Sequence, residues 1–175
     1  MNVFDAIKKR RSIRKYKEIV VEQEKLNTVL EAARLAPSAD NKQPWAFIVV
    51  TDPQMKERLR SSYDEEWFIE APVIIVACAV PKKAWRRMDG EEYWKVDVAI
   101  AMQNLVLAAT ELGLGTCWIA DFNEEAAKKA LRIPEDVRVV AMTPLGYSDE
   151  EKGPVTGRNS INSIVHNNQW QLAHV

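Results

Sequence analysis

The chain has 175 residues, enough for one domain with its own core, and its hydrophobic fraction of 47% and charged fraction of 28% are those of a soluble globular protein. A formal charge of -1 excludes a general electrostatic pull toward nucleic acid or anionic membranes, so any basic feature must act locally. No apolar run reaches the length of a bilayer crossing, and Asp5 and Lys8 stand where a signal peptide needs an apolar segment, which predicts a cytoplasmic protein.

The first predicted helix is capped by Asn2 and runs to about Arg10, with Val3, Phe4 and Ile7 on one apolar face. It leads into Lys9-Arg10-Arg11-Ser12-Ile13-Arg14-Lys15-Tyr16, where five cations and a hydroxyl surround one apolar residue. Three arginines this close can fork around one phosphoryl group. Read alone, such a run is more often a solvated helix end. A second helix is predicted over about 21–36, with Leu26, Val29, Leu30 and Ala33 as its stripe and Pro37 as its stop. The loop Pro37-Ser38-Ala39-Asp40-Asn41-Lys42-Gln43-Pro44-Trp45 follows, rich in short side chains that bond either a ligand or their own backbone. Residues 45–51 read as a buried strand, and a short helix after Asp52-Pro53 carries Met55 and Leu59.

Residues 73–79 are apolar throughout, which predicts an interior strand covered on both faces and ended by Pro81. The segment 82–94 has no clear period and reads as a surface excursion carrying Trp85, Tyr93 and Trp94, aromatics that suit either a ligand or packing. The longest helical pattern, about 91–112, is apolar nearly all round from Val96 onward and predicts a helix buried in the domain or against a second subunit. Gly113-Leu114-Gly115 ends it, and 116–120 reads as a short strand. That Gly-x-Gly follows a helix and enters a strand, the reverse of a dinucleotide-binding turn, so it reads as a helix stop. Asn123 caps a helix to about Arg132, and 137–142 is a strand running into Pro144-Leu145-Gly146-Tyr147. The tail from 148 has little period but holds Arg158, Ile161, Ile164, Val165 and Trp170, apolar anchors that predict packing on a partner subunit. Strands separated by helices, without a phosphate-binding turn after the first, predict an α+β fold: a mixed, mostly antiparallel sheet flanked by helices, one domain over 1–175.

Several chemistries lack their parts. The only histidines, His166 and His174, lie in the tail, so a Ser-His or Cys-His pair has almost no base to draw on, and they read as inert. No two Cys or His residues sit at metal-ligand spacing, and Cys78 and Cys117 read as buried thiols. Carboxylates such as Glu22, Glu24 and Glu31 read as solvated helix faces. What remains is a polypeptide with a phosphate clamp, a loop of amides and hydroxyls and many aromatics, suited to hold a cofactor that carries the chemistry.

Arg10-Arg11-Ser12-Ile13-Arg14, the 37–45 loop and Gly113-Leu114-Gly115-Thr116-Cys117-Trp118-Ile119 together closely resemble the nitroreductase family of FMN-dependent oxidoreductases, in matching order from the first helix to about Arg158. The resemblance implies an intertwined homodimer with FMN at the subunit interface. It implies that Arg10, Ser12 and Arg14 hold the phosphate and ribityl end, with Arg11 adding a charge or backbone contact and Arg158 reaching the same phosphate. Pro37, Ser38, Ala39, Asn41 and Gln43 would line the ring from the partner subunit. Trp118, Ile119, Ala120, Leu145 and Gly146 would lie along it through backbone and packing. Read from the residues alone, Ser38 and Asn41 also fit turn caps, Gln43 a solvated loop residue and Gly146 a strand-end glycine. The resemblance further implies ping-pong transfer of hydride from NADH or NADPH to nitroaromatic, quinone or similar small acceptors. The short excursion after Pro81 argues against an elaborate substrate lid. Two alternatives stand beside this reading: a specialised flavin enzyme of the same fold, such as a reductive dehalogenase or a flavin-consuming enzyme, and a non-catalytic module that binds an anion or flavin. A nucleic-acid role is disfavoured, because the aromatics are not interleaved with the basic run.

Overall fold

A computed structural model of the chain describes residues 1–170. His174, read from the sequence as inert, lies outside the described residues. Helix α1, Val3–Lys9, starts at Asn2, whose side chain accepts from the Asp5 N–H at 2.9 Å. Helix α2, Gln23–Arg34, buries Leu26, Val29 and Ala33, the predicted stripe. Strand β1, Trp45–Val50, is followed by α3, Pro53–Leu59, capped by Asp52 through the Met55 N–H. A helix the sequence pattern did not reveal, α4, Glu66–Glu70, is too short to show a period and buries Phe68 and Ile69.

Strand β2, Val73–Ala79, is buried along its whole length. Helix α5, Trp94–Glu111, leads to the two-residue strand β3, Gly115–Thr116. Helix α6, Glu124–Leu131, is capped by Asn123, and β4 runs over Arg138–Gly146. The short α7, Ile161–Ile164, lies in the tail. Strand β4 is longer than expected: it continues through Pro144, which stands opposite Ile74. The predicted strand over 116–120 is instead β3 plus a single bridge from Ile119 to Met142.

The sheet has the order β1-β2-β4-β3 with every strand pair antiparallel, and a lone parallel bridge joins Ser12 to Thr116. Alternation along β2 divides the core. Val73, Ile75, Ala77 and Ala79 pack with α2 and α5, while Ile74, Val76 and Cys78 pack with Phe68, Leu59 and Ala127 on the other face. This is why β2 reads as apolar without alternation. A register shift opposite Ala77 and Cys78 inserts Val140 as a bulge, so Val139 and Ala141 go to different cores. Helix α5 is buried through Val98, Ala101, Met102, Leu105 and Ala109, as its composition predicted. It stops at Gly113, whose φ of 77° lets the Leu114 N–H turn back to the Ala109 carbonyl at 2.8 Å.

Trp94 belongs to this core, and Trp85 packs edge-on against Tyr93 with ring centroids 5.1 Å apart. Both thiols are buried, and burial pushes the Cys78 thiol up to about 11. Ile161, Ile164 and Trp170 in the tail are exposed in the single chain, as are Val3 and Phe4 of α1. Among the described residues no helix is long and apolar enough to cross a membrane, and no three His, Cys, Asp or Glu side chains gather as a metal site.

Candidate functional site

The basic run leaves α1 as extended chain, so its side chains alternate between two sides. Arg10 and Ser12 face a cleft of about 410 Å³ together with Gln103, Thr116, Trp118 and Arg158, over a floor of Ile7 and Val106. Among the described residues no carboxylate lines it. Arg11 and Ile13 face the other way, toward a second cleft that contains Glu150 and Lys152. The strip is pinned from both directions. The Ile13 N–H donates to the Thr116 carbonyl at 2.9 Å, Lys152 Nζ donates to the Ser12 carbonyl at 2.7 Å, and the Arg14 N–H donates to Glu150 Oε1 at 2.6 Å. Burial works to raise the Glu150 carboxyl, but the Arg14 N–H and Lys152 prevail and hold it below the usual carboxylate range.

Gly115 is what allows β3 to lie this close. A Cβ there would stand 2.8 Å from Ile13 Cγ1 and 2.9 Å from Ile13 Cβ. Gly146 does the same at the end of β4, where a Cβ would meet Pro72 Cγ at 2.6 Å and Tyr16 Cδ1 at 3.1 Å. Leu145 and Ile119 are buried core side chains, whereas Trp118 and Ala120 on either side of Ile119 point outward. Arg14 is exposed, and its guanidinium lies 5.9 Å from the centroid of the Trp67 ring. The sequence reading did not single out Trp67. The only signal was an aromatic within an aperiodic stretch.

The 37–43 loop is not part of the first cleft. Ser38 Oγ accepts from the Gln43 N–H at 2.9 Å, and the Gln43 side-chain amide donates to the carbonyl and to Oδ1 of Asn41 at 3.1 Å. Asp40, Asn41 and Gln43 all adopt left-handed backbone, with φ of 51°, 52° and 47°. Asn and Asp tolerate that region, but for Gln it is strained by about 1–2 kcal/mol. Pro37, Asn41 and Gln43 are exposed, while Ser38 and Ala39 are half-buried. The Ala39 N–H donates to Asp97 Oδ1 of α5 at 2.9 Å.

The structure thus brings together Arg10, Ser12, Arg158 and Trp118, places Arg11 on the opposite side of the strip, and presents the 37–43 loop elsewhere on the same chain. A four-stranded antiparallel sheet between two helical layers, with an arginine-lined cleft beside β3, defines an α+β protein. The sequence profile of the nitroreductase family matches residues 7–67 and 60–147. The chain is 36% identical over 167 residues to a protein of Archaeoglobus fulgidus provisionally named an NADH dehydrogenase/NAD(P)H nitroreductase, covering 92% of this chain and 94% of that one. A nitroreductase family protein of Clostridium novyi NT superposes with a TM-score of 0.81 at 40% identity, covering 86% of this chain and 87% of that one. An FMN-dependent nitroreductase of Clostridium difficile R20291 superposes with a TM-score of 0.83 at 35% identity, covering 95% and 99%. The chain belongs to the nitroreductase family.

Proposed function

We propose that the protein is an FMN-dependent NAD(P)H oxidoreductase that works as a homodimer. One observation carries the reading: Arg10 and Arg158, from opposite ends of the chain, converge with Ser12 on one cleft whose lining, among the described residues, holds no carboxylate. Two guanidinium forks and a hydroxyl match the donors a phosphomonoester requires, and the absence of a lining acid leaves their charge available to it. The half-exposed indole of Trp118 offers a flat wall for an aromatic ring beside that phosphate. The residues therefore fit FMN.

Each residue has its own task. Arg10 and Arg158 neutralise the phosphate, and Ser12 orients it. Arg14, which does not line the cleft and whose guanidinium lies by Trp67, presents its charge farther along the ligand. Leu145 and Ile119 act through the core, fixing the backbone of Gly146, Trp118 and Ala120 along the ring. FMN bound here would accept hydride from NADH or NADPH and pass reducing equivalents to a nitroaromatic, quinone or similar acceptor, donor and acceptor alternating at one open site.

The loop supports a dimeric arrangement. At about 100° per residue, Asp97 and Val106 stand on opposite faces of α5. Val106 floors the cleft and Asp97 fastens the loop, so Pro37, Ser38, Ala39, Asn41 and Gln43 are carried away from the cleft of their own chain. A second copy, packed on the exposed apolar residues of α1 and the 148–170 tail, is the body whose site they would line. A nicotinamide donor puts the reaction in the cytoplasm.

The test is to purify the protein, add FMN, and follow flavin absorbance and stoichiometry, then supply NADH or NADPH with a quinone or nitroaromatic. Tight uptake of one FMN per chain with turnover supports the reading. Anion binding without redox turnover would make it a binding module instead.

A further inference from the structure

Helix α5 carries one carboxylate within its buried surface. Asp97 is 1% exposed, and its neighbours at helical spacing, Trp94 and Ala101, are buried too. Its Oδ1 accepts the Ala39 N–H at 2.9 Å, while Oδ2 is enclosed with no hydrogen-bond partner among the described residues. A carboxylate buried with a single backbone donor is unfavourable for stability, and a residue serving only to pack α5 there would be apolar. The loop explains what the carboxylate does. Ala39 opens the 3-10 turn Ala39–Asn41, and the Ser38 hydroxyl that would ordinarily cap that turn is occupied by the Gln43 N–H. The other hydrogen bonds and ion pair of residues 38–43 stay inside the loop: Asn41 to Ser38, Lys42 to Ala39 and to Asp40, Gln43 to Ser38 and Asn41. Among the described residues the bond to Asp97 is the one hydrogen bond that ties residues 38–43 to another element.

We propose that Asp97 is a positioning residue of the flavin site, a buried cap reaching from α5 that holds the strained loop 38–43 in the shape that receives the ring. The inference rests on the reading that this loop lines a flavin. Without the tether no hydrogen bond from residues 38–43 to another element, among the described residues, opposes relaxation of Asn41 and Gln43 out of left-handed backbone, and their amides lose the placement they share. The carboxylate touches neither the cleft nor a reacting atom, so it acts through the loop alone.

The experiment compares the full-length wild type, Asp97→Ala and Asp97→Asn in two measurements: native-state amide exchange without ligand, and equilibrium titration with FMN. Asp97→Ala should speed exchange at Ala39 and Gln43 by at least about tenfold while the amides of β2 keep their rates, and should weaken FMN binding by about tenfold. Asp97→Asn keeps an acceptor for the Ala39 N–H and should restore both values to within about threefold of wild type. Unchanged exchange at Ala39, equal acceleration of the β2 amides, or unchanged FMN affinity in Asp97→Ala each overturns the proposal. If the wild type takes up no FMN, the flavin reading falls and the positioning role with it, while the exchange data still report on the tether.

Discussion

At the scale of single residues, the alternation of extended chain separates arginines that look equivalent in the sequence. Arg10 and Ser12 share a cleft with Arg158, whereas Arg11 shares its side with Ile13, Glu150 and Lys152. A charge-assisted hydrogen bond is worth about 1.5–3 kcal/mol, so Arg10→Ala and Arg158→Ala should each weaken FMN binding by at least about tenfold. Arg11→Ala should change it less than about threefold, because that guanidinium points away from the cleft. Equilibrium titration of the three variants with FMN reads this directly. Residue identity announced the cluster. Which members cooperate depended on backbone direction, which the run Lys9 to Lys15 does not reveal, since a helix would have grouped the same side chains differently.

At the scale of elements, the cleft depends on how closely β3 approaches the strip. A methyl at Gly115 would strike Ile13 Cβ, an atom fixed to its backbone, so either the strip or β3 must move. Gly115→Ala should cost about 1–3 kcal/mol in urea unfolding and loosen FMN binding, because Ser12 adjoins Ile13 and bridges Thr116. A second contact, between α6 and β4, sets a pH dependence. Glu124 accepts two bonds from Arg138 at 2.8 Å and one from the Val139 N–H at 2.8 Å, and chiefly the guanidinium holds its carboxyl below the usual 4.5. A depressed carboxylate contributes stability in full above its unfolded value and loses it as pH falls through the folded one. The stability lost in Glu124→Gln, about 1 kcal/mol at neutral pH, should therefore stay constant above about pH 5.5 and shrink below pH 4.5. Denaturant melts of both proteins across that range check the sign.

At the scale of the whole molecule, exposed apolar residues mark what a single chain leaves uncovered. Phe4 is 72% exposed on α1, and Ile161 and Trp170 are exposed in the tail. Such a surface predicts self-association, so sedimentation should show a two-chain particle. Phe4→Asp should shift it toward single chains and reduce FMN uptake along with dimer content, since the 37–43 loop would then have no partner site to enter. A dimeric Phe4→Asp with full flavin would count against that arrangement.

The sequence by itself determined the helices α1, α2, α5 and α6, the interior strand β2 and the family, because periodicity, caps and motif order are local properties written within a few turns of chain. It could not show α4, whose five residues complete barely more than one turn, nor the passage of β4 through Pro144. The family resemblance already set Arg158 beside Arg10, and only the tertiary structure decided that Arg11 faces away from both and that Asp97 accepts from the Ala39 N–H nearly sixty residues earlier in the chain. Those relations are made by the packing of distant segments around one sheet, and no window of sequence contains both partners.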